Sequence, residues 1–581
     1  MKRHKVWEIL PEPDESVFVE LSTIPKPIVR TLFHRGIDDA ESARSFFQPG
    51  DYPPADPFLL SGMEAAVDRI LRAVRSEETV VVYGDYDTDG VTSTAMLVDF
   101  LQSAGASVST YIPNRFDEGY GLNHDALKAL AERGARLIVT VDCGARSVQE
   151  AAFAAEKNID LIITDHHPPG SEEPPVCAFI NPKRAGCPYP EKNLSGVGVA
   201  YRLVQAVAGR ITGKDCPPTD RYLDLVAIGT VADMVPLLGE NRYLVEAGLL
   251  ALNDPDGANL RPGVDQLMQA AGVARGTVTA QGIGFTLGPR LNAAGRLDTA
   301  DAAVDLLLTR DPQKARSFAR SLETQNRNRQ SITRKTVRDA RAIAAHAPEW
   351  DPGSPPLFIM VAQEGFHPGI IGLAATRLME EFYRPVAVVA VEKGQARGSI
   401  RSVPGFHITQ ALDSCRDLLD RYGGHAAAAG FSTRSDRLEE LRKRLLDLAD
   451  EALSRMSLQP VLSVDSEIRL ADLTWDLHRW ITRLEPCGQG NPAPVFFTRN
   501  LRIRNKRCVG KDSSHLKLSL SDGRSEIDAI AFGFGHLEPT LSDTVDVAFS
   551  LEENNYYGRR LQMRVMDIHE PAGASNGTVS R

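Results

Sequence analysis

Acidic residues follow a strongly apolar run with a spacing suited to metal binding. The segment GDYDTDG, residues 84–90, places Asp85, Asp87 and Asp89 at alternate positions directly after TVVVYG. Three carboxylates this close repel one another unless a cation lies among them. An EF-hand calcium loop begins similarly, but it needs flanking helices and a Glu at its twelfth position, where this chain has Met96. We therefore predict a different kind of metal site, at the end of a strand.

Two further strand-like runs end in acidic or imidazole side chains. Asp142 ends VTVD, and Asp165, His166 and His167 end LIITDHH, while Asp233 closes a helical stretch, IGTVAD. A single Asp at such a position is often a helix N-cap, and a lone His pair is more often structural. Their recurrence on successive strands favours one shared site, because the carboxyl ends of parallel strands meet at one edge of a sheet.

The donor set points to hard divalent cations. Carboxylates with one or two imidazoles favour Mn²⁺ or Mg²⁺ over zinc. Two such ions about 3.5–4 Å apart can activate water and stabilise the leaving oxygen in phosphate-ester cleavage. We hypothesise that two ions are held, with one Asp bridging them, by Asp85, Asp87, Asp89, Asp142, His166 and Asp233. The candidate catalytic residues are Asp87, Asp142, His166 and His167, with His167 orienting or supporting the metal ligands.

The elements that position these residues follow from hydrophobic patterning. From Thr79 onward, Val/Ile-rich runs alternate with amphipathic stretches, which predicts a doubly wound α/β domain over roughly residues 51–235 with a parallel sheet. An Arg-rich stretch without Pro or Gly predicts a long helix at 313–347. A second α/β pattern follows, with a helix expected to end near Tyr422. After Gln459, five short alternating runs predict a small β-barrel of OB type.

Composition sets further limits. A chain of 581 residues with 43% hydrophobic and 24% charged residues should form about three or four globular domains. The net charge of −10 argues against indiscriminate binding of polyanions, so any nucleic acid must bind locally. Without an apolar signal segment or a membrane-length apolar run, we expect a cytoplasmic protein with no membrane contact. Seven cysteines without a CxxC pair should be reduced thiols.

These motifs resemble those of a known family. Asp85, Asp87 and Asp89, then Asp142, then DHH at 165–167, then Asp233 are similar in order and spacing to the four motifs of the DHH phosphoesterases. Many members begin the first motif with His, and Asp85 in that place resembles the RecJ branch. The resemblance extends over nearly the whole chain. It implies a single-stranded-DNA-specific 5′→3′ exonuclease that uses Mn²⁺ or Mg²⁺ and releases 5′-mononucleotides in DNA repair and recombination.

The resemblance also implies substrate-binding residues. GGHAAAAG at 423–430 is similar to the family's glycine-rich motif, in which Gly424 and His425 face the substrate, although such glycines also suit a plain turn. ARGSIRS at 396–402 puts Ser399 and Arg401 on one face of a strand, where relatives hold the 5′-phosphate. A solvated Arg115 and a half-buried Tyr120 would be the ordinary interpretation, but the resemblance assigns them to the phosphate and to base stacking. Two more arginines are assigned to the phosphate backbone, Arg290 and Arg296.

Domain boundaries are predicted from both patterning and resemblance. They are an N-terminal segment (1–50), a DHH catalytic domain with a helical extension (51–312), the connecting helix (313–347), a DHHA1-type substrate-binding α/β domain (348–457), an OB-fold domain (458–570) and a disordered tail (571–581). The barrel carries a local basic patch in which one stretch contains Arg499, Arg502, Arg504, Lys506, Arg507 and Lys511. Solvated strand faces also carry such residues, but an OB-like position favours a role in DNA binding.

Two other functions fit parts of the sequence. A nanoRNase or cyclic-dinucleotide phosphodiesterase of the DHH group shares the chemistry, but such relatives usually lack an OB-like module. A non-catalytic DNA-binding scaffold of RecJ type would carry degenerate metal motifs, whereas every expected ligand is present here. The expected partner is single-stranded DNA with a 5′ end. A helicase and a single-stranded-DNA-binding protein are further expected partners, and we expect a monomer.

Overall fold

The computed structural model describes residues 5–48, 52, 54–115, 118–211, 218–257, 260–347, 349–351, 355–554 and 558–571. Within these ranges the chain forms two compact units. The α/β unit comprises residues 48–331 and 486–492, and the composite unit comprises residues 1–47, 332–485 and 493–581. Cys216 and the predicted tail beyond residue 571 lie outside the described residues, and the described cysteines are free. Of the helices that are described, none has the length and apolar content of a membrane span.

The sequence suggests no role for the first fifty residues, of which the described residues 5–47 belong to the composite unit and contact its C-terminal part. Their elements are β1 (Val6–Ile9), α1 (Glu15–Glu20), α2 (Lys26–Phe33) and α3 (Ala40–Phe47). β1 pairs in parallel with a later strand, Val461–Val464. The Trp7 ring stacks on His569 at 4.2 Å, and Trp7 Nε1 donates a 3.0 Å hydrogen bond to Asp567 Oδ2. These contacts join both ends of the chain within one unit.

The α/β unit is built on a parallel sheet, as predicted. In chain order its first elements are α4 (Met63–Arg75), β2 (Thr79–Gly84), α5 (Thr88–Ser103), β3 (Ser107–Tyr111), α6 (His124–Glu132), β4 (Leu137–Val141), α7 (Val148–Glu156), β5 (Asp160–Thr164) and β6 (Ala178–Ile180). Among the described residues the strand order is β3-β2-β4-β5-β6, and every pairing is parallel. Apart from the first residue of β2 and of β5, the residues of β2, β4 and β5 are buried without interruption, because both faces of the sheet are covered, by α5 on one side and by α6 and α7 on the other.

The sequence patterning missed β3. Its residues, SVSTY, are mostly polar and largely exposed, because β3 lies at the edge of the sheet and pairs with β2 alone. An edge strand needs little apolar surface, so it carries a weak hydrophobic signal. Among the described residues the sheet therefore contains two more strands, β3 and the three-residue β6, and one more crossover helix, α6, than the sequence predicts.

Helices complete the α/β unit, and the last of them continues from residue 332 into the composite unit. They are α8 (Gly196–Arg210), α9 (Leu223–Asp233), α10 (Gly239–Leu252), α11 (Pro262–Ala271), α12 (Ala280–Gly282), α13 (Gly288–Leu297), α14 (Asp301–Leu308) and α15 (Pro312–Ala345). A five-residue π-helical segment, Ile283–Leu287, joins α12 to α13. The long helix expected at 313–347 is α15, and its Arg341 pairs with Glu381.

A second sheet forms part of the composite unit. Its elements are β7 (Ile359–Glu364), α16 (Pro368–Phe382), β8 (Val386–Glu392), β9 (Gln395–Arg401), α17 (Ile408–Asp413), β10 (Arg421–Gly424), β11 (Ala428–Arg434) and α18 (Leu438–Leu453), and the strand order is β10-β11-β9-β8-β7 among the described residues. The prediction of a helix ending near Tyr422 is wrong. The helix ends at Asp413, and Tyr422 lies in β10, which pairs with β11 as an antiparallel hairpin.

The C-terminal barrel has the predicted OB-like form. The elements of this region are β12 (Val461–Val464), which pairs with β1 outside the barrel, β13 (Ser466–Glu467), α19 (Trp475–Thr482), β14 (Phe496–Val509), β15 (His515–Ser521), β16 (Glu526–Ala531), β17 (Thr544–Asn554) and β18 (Arg560–His569). In the described part of the chain, β14, β15, β16, β18 and β17 pair in that order, and β14 also pairs with β17, which closes the barrel. The basic residues of the predicted patch lie on β14, apart from Lys511, which follows it.

Candidate metal centre

The acidic and imidazole residues predicted from the sequence converge at the carboxyl edge of the parallel sheet. The register aligns Gly84 with Val141 and Val141 with Thr164, so the loops after β2, β4 and β5 begin at the same level. The potential ligand atoms form three groups, and within each group the atoms lie within 4.8 Å of one another. The groups are Asp142 with Asp165, His166 and His167; Asp89 with His166 and Asp233; and Asp85 with Asp87 and Asp142.

The first loop is fixed by its own local chemistry. Asp87 is the N-cap of α5, and its Oδ1 accepts hydrogen bonds from the backbone N–H groups of Asp89 (2.9 Å) and Gly90 (3.1 Å). A side chain at position 90 would collide with the backbone of Asp85, which explains the glycine at that position. The N-cap hydrogen bonds of Asp87 and the close packing of Gly90 against Asp85 together hold three carboxylates at the end of β2.

Asp89 is held by a distant helix. Its Oδ2 accepts a 2.7 Å hydrogen bond from Gly196 N–H, and its Oδ1 accepts a 2.8 Å hydrogen bond from Val197 N–H. Both donors belong to the first turn of α8, where the N–H groups lack partners inside the helix and the helix dipole favours negative charge. The Asp89 carboxylate is therefore fixed in direction while remaining ionisable.

Asp142 lies in an unusual backbone conformation. Its φ of 62° falls in the left-handed region, which non-glycine residues adopt rarely and which is a common conformation at functional sites. A Cβ on Gly196 would lie 2.7 Å from Asp142 Oδ1, so a larger residue at 196 would displace this carboxylate. Asp142 Oδ1 lies 3.2 Å from His166 Nε2, and Asp233 Oδ2 lies 3.5 Å from the same nitrogen.

Within the DHH segment, Asp165 orients its neighbours. Its Oδ1 accepts hydrogen bonds from the backbone N–H groups of His166 and His167 and contacts His167 Nδ1 at 2.8 Å, while its Oδ2 accepts one from Ala145 N–H. Burial acts to raise the pKa of Asp165, but the hydrogen bond with His167 outweighs it, and the pKa lies below its usual range. Through these hydrogen bonds, Asp165 positions the two histidines.

The remaining donors suit a divalent cation. Buried polar atoms without a hydrogen-bond partner among the described residues include Asp85 Oδ1, Asp142 Oδ1, His166 Nδ1, His166 Nε2 and Asp233 Oδ2. Such orphaned atoms are costly unless a ligand satisfies them. Because they are carboxylate oxygens and ring nitrogens that converge on one place, they fit Mn²⁺ or Mg²⁺.

The electrostatics agree with that fit. Burial, together with neighbouring carboxylates, raises the pKa of Asp85, Asp89 and Asp142 well above the usual range. The same two causes raise the pKa of Asp233 to about 6. Burial and the adjacent His167 lower the pKa of His166 to about 3, so its imidazole is neutral near pH 7, the form that binds metals. A bound cation would relieve the repulsion among these carboxylates.

Arg115 and Tyr120 lie beside this cluster. The Arg115 guanidinium stacks over the Tyr86 ring at 4.8 Å, which places it against the first metal-binding loop. The Tyr120 hydroxyl donates a 3.2 Å hydrogen bond to the Asp142 carbonyl and lies 3.2 Å from His167 Nδ1. Tyr120 is 51% exposed, and its ring meets His167 edge-on at 5.8 Å. Phosphate binding by Arg115 and base stacking by Tyr120 stay predictions.

The segment GPRLNAAGRLD supports the first loop by contacts that the sequence does not reveal. Asn292 Oδ1 accepts a 2.8 Å hydrogen bond from Thr88 N–H, and the Gly288 carbonyl accepts one from Thr88 Oγ1. Arg290 forms a 2.7 Å ion pair with Glu323 of α15. Burial raises the pKa of Tyr86 to about 12, and the charge of Arg296 opposes that rise. Contact of these arginines with the DNA backbone stays a prediction.

In the composite unit, Ser399 and Arg401 do lie on one face of β9. Arg401 donates a 3.1 Å hydrogen bond to Ser399 Oγ, and Gly372 of α16 leaves room for both side chains. Gly424 is the last residue of β10 and pairs with Ala429 of β11, and the connection that begins at His425 is closed by the 2.8 Å hydrogen bond from His425 N–H to Ala428 O. The glycines of this motif therefore lie in the strands of a hairpin, and the role of Gly424 and His425 toward substrate stays a prediction.

Sequence reasoning missed two residues of this site. Asn181, fully buried after β6, donates a 2.9 Å hydrogen bond to the His167 carbonyl, and its Oδ1 accepts one from Lys183 N–H. The half-buried Lys183 exerts its charge on both Asp233 and His166. Burial lowers the pKa of Lys183, although Asp233 and Asp165 oppose that shift. The segment NPK, residues 181–183, directly follows the short strand β6, and the strand-end rule applied there would have found both residues.

Family models match three regions of the chain. The DHH family N-terminal domain matches residues 79–230, the DHHA1 domain matches 354–454, and the RecJ OB domain matches 464–567. The first match spans the three loops of the metal centre and ends just before Asp233.

Similar proteins extend these matches over most of the chain. The single-stranded-DNA-specific exonuclease RecJ of Bacillus subtilis is 39% identical over 561 residues, which is 95% of this chain and 69% of that protein. The crystal structure of RecJ from Thermus thermophilus in complex with Mn²⁺ has a TM-score of 0.83 at 30% identity and covers 98% of this chain and 80% of that one. Its Mg²⁺ complex has a TM-score of 0.75 at 29% identity, covering 98% and 79%.

Proposed function

The chain belongs to the RecJ family of single-stranded-DNA-specific exonucleases, and we propose that it removes nucleotides from the 5′ end of single-stranded DNA by two-metal-ion hydrolysis. As a member of this family it is a metal-dependent DNA exonuclease. The observation that carries the proposal is the convergence of Asp142 Oδ1, His166 Nε2 and Asp233 Oδ2, all buried and without hydrogen-bond partners among the described residues.

The metal ligands are proposed to be Asp85, Asp87, Asp89, Asp142, His166 and Asp233. When bound, Mn²⁺ or Mg²⁺ supplies Lewis-acid stabilisation of the phosphate charge and makes water more acidic. The neutral imidazole of His166 offers a lone pair, while α8 and the N-cap of α5 keep Asp89 and Asp87 in place. Asp165 fixes the ring of His167, which supports the ligands around it.

Strand polarity is proposed to depend on cationic side chains. In the composite unit, Arg401 and Ser399 offer donors on one face of β9 for a terminal phosphate. In the α/β unit, Arg115 offers a guanidinium beside the first loop, and the exposed side chain of Tyr120 suits base stacking. We assign Gly424, His425, Arg290 and Arg296 to further contacts with the strand. A role in DNA repair and recombination, a helicase and a single-stranded-DNA-binding protein as partners, and a monomeric state rest on the family and the sequence alone.

The direct test compares end-labelled single strands. With Mn²⁺, a 5′-phosphorylated strand labelled at its first nucleotide should release labelled mononucleotide at once. The same strand labelled at its last nucleotide should first shorten step by step. A duplex of the same sequence should resist, and the Asp142→Ala protein should be inactive on every substrate. Early mononucleotide release from the 3′ label would refute the proposed direction, and much faster cleavage of dinucleotides would favour the nanoRNase alternative.

A second comparison tests the phosphate site. The Arg401→Ala protein should lose more activity on a 5′-phosphorylated strand than on a 5′-hydroxyl strand, because a charge-assisted contact exists with the phosphate alone. Arg434→Ala is the control, since Arg434 is an exposed arginine on the neighbouring β11 that pairs with Asp436. Equal losses on both strands would contradict a role for Arg401 in binding the terminal phosphate.

A further inference from the structure

One segment between α19 and β14 belongs to a different unit from the residues on either side of it. Residues 486–492, PCGQGNP, pack with the α/β unit, whereas the chain on either side belongs to the composite unit. The segment is a tight turn in which Gly488 and Asn491 exchange backbone hydrogen bonds of 2.8 and 3.2 Å. Gly490 has a φ of 71°, and the fully buried Asn491 donates a 2.9 Å hydrogen bond to the Pro486 carbonyl. We call residues 486–492 the strap.

The strap binds the loop that follows Asp233. The N–H of Leu237 donates a 2.8 Å hydrogen bond to the Gln489 carbonyl. A Cβ on Gly488 would lie 2.7 Å from Leu237 Cδ1, and a Cβ on Gly490 would lie 2.9 Å from Pro236 Cβ. The two strap glycines therefore allow an approach that larger residues would prevent.

A second contact fixes the strap to the helix beyond this loop. The Pro486 carbonyl accepts a 3.3 Å hydrogen bond from Arg242 of α10, and the Arg242 side chain is almost fully buried. In the same helix, Asn241 donates a 3.1 Å hydrogen bond to the Pro236 carbonyl. The loop 234–238 is thus held between α10 and the strap.

Within the part of the chain that the structure describes, Asp233 lacks the backbone hydrogen bonds that hold Asp89. Both oxygens of Asp89 accept backbone hydrogen bonds, whereas Asp233 Oδ2 has no such partner among the described residues. The next residue, Met234, has a left-handed φ of 64° and is 69% exposed, so its own side chain contributes little to holding the turn. A non-glycine residue keeps such a conformation when its surroundings impose it. The strap contacts Pro236 and Leu237, which follow this turn.

We propose that the strap is a positioning element for metal binding, acting through Asp233. By anchoring Leu237 and Pro236, it fixes the backbone on the C-terminal side of Asp233 and so directs a carboxylate toward His166. Metal sites lose affinity when the groups that orient their ligands are removed, typically 10- to 100-fold. The proposal rests on the proposed function in one respect, the assignment of Asp233 as a metal ligand.

The test measures Mn²⁺ binding to the full-length, metal-free protein by calorimetry, without DNA. Gly490→Ala should weaken Mn²⁺ binding about tenfold, because the added Cβ meets Pro236 and displaces the strap. Gly272→Ala is the matched control, since Gly272 has a nearly identical φ of 72° and open space within 4 Å. Both variants carry the same backbone strain, so Mn²⁺ affinities that match each other would overturn the proposal.

A double-mutant cycle with Asp233→Asn shows whether the effect passes through Asp233. Gly490→Ala should have no further effect on Mn²⁺ affinity in the Asp233→Asn protein. The proposal would be overturned if Gly490→Ala weakened Mn²⁺ binding by the same factor in the Asp233→Asn protein as in the wild type. It would also be overturned if the Asp233→Asn protein bound Mn²⁺ as tightly as the wild type does. If Gly490→Ala fails to fold, Gly488→Ala replaces it, since its Cβ meets the flexible end of Leu237 and position 488 has no positive φ.

The binding measurement also separates this proposal from the proposed function. A wild-type protein that binds Mn²⁺ but does not degrade single-stranded DNA would contradict the exonuclease. The double-mutant cycle would still test the role of the strap, because the Mn²⁺ affinities that it compares are measured without DNA.

Discussion

Asp89 and Gly196 lie 107 residues apart, yet the Gly196 N–H donates a 2.7 Å hydrogen bond to Asp89 Oδ2. With the neighbouring Val197 N–H on Oδ1, the first turn of α8 holds one carboxylate of the metal centre at both oxygens. Asp142, only a few ångströms from the same glycine, has an Oδ1 without a hydrogen-bond partner among the described residues. Two carboxylates in one cluster therefore differ in how they respond to substitution.

This difference predicts that substitutions of the two residues change the stability of the metal-free protein in opposite directions. Asp89→Asn should lower the free energy of unfolding by about 1–3 kcal/mol, because the new amide N–H₂ would face an N–H donor. Asp142→Asn should raise it by roughly 1 kcal/mol, because it removes one of several mutually repelling buried carboxylates. Thermal unfolding in EDTA measures both, and each is the control for the other. Shifts of the same sign would contradict the assignment of these hydrogen bonds.

Metal removal should destabilise the protein. Binding to the folded state alone contributes about 2.7 kcal/mol when free metal is at 100 times its Kd. Mn²⁺ should therefore raise the melting temperature relative to EDTA, and Asp142→Asn should remove most of that rise. Ca²⁺ at the same ionic strength controls for nonspecific charge screening and should stabilise less than Mn²⁺ if the site selects by ligand type. An equal melting temperature with Mn²⁺ and with EDTA would exclude a metal centre that couples to folding.

Lys183 should act on metal and substrate in opposite directions. Lys183→Met keeps the length of the side chain but removes a cation whose charge acts on Asp233 and His166. Mn²⁺ should bind more tightly to this variant, because like-charge repulsion is lost. The kcat/KM for single-stranded DNA should fall about tenfold, equivalent to about 1.4 kcal/mol, because a phosphate loses a cation. Lys183→Arg should retain most activity, and weaker Mn²⁺ binding by Lys183→Met would argue against this role.

A pH-dependent contact should hold the N-terminal segment. His34 Nδ1 lies 3.2 Å from Asp465 Oδ1, and its Nε2 lies 2.9 Å from the Pro11 carbonyl. Burial alone would lower the pKa of His34, but these two contacts outweigh burial and raise the pKa above 6.5. The resulting stabilisation is complete below pH 6.5 and is lost as the pH rises through the raised value.

The measurement compares melting temperatures of wild type and His34→Gln from pH 5.5 to 9. The difference between them should be largest at the acidic end and should shrink as the pH rises. His346→Gln is a control, since His346 contacts a backbone carbonyl in α15 and has no carboxylate partner among the described residues. A difference that grows with pH would mean that neutral His34 is the stabilising form.

The sequence by itself determined the fold class and placed acidic and imidazole residues at one edge of the sheet. Each proposed ligand follows an apolar run or closes a helix, and parallel strands end at a common edge whatever the rest of the chain does. The N-cap role of Asp87 and the glycine at 90 are equally local, because the interacting groups lie within three residues. The long helix, the second α/β sheet and the barrel were predictable for the same reason: each repeats a periodic pattern along the chain.

Tertiary structure alone decided the partners. The hydrogen bond from Gly196 to Asp89, the ion pair of Arg290 with Glu323, the pairing of β1 with β12 and the docking of the strap on Leu237 join residues far apart in the chain. No periodicity marks such contacts, because they depend on how finished elements pack. The polar edge strand β3, the hairpin at Tyr422 and Lys183 at the end of a three-residue strand escaped notice because each has too little apolar surface to leave a pattern.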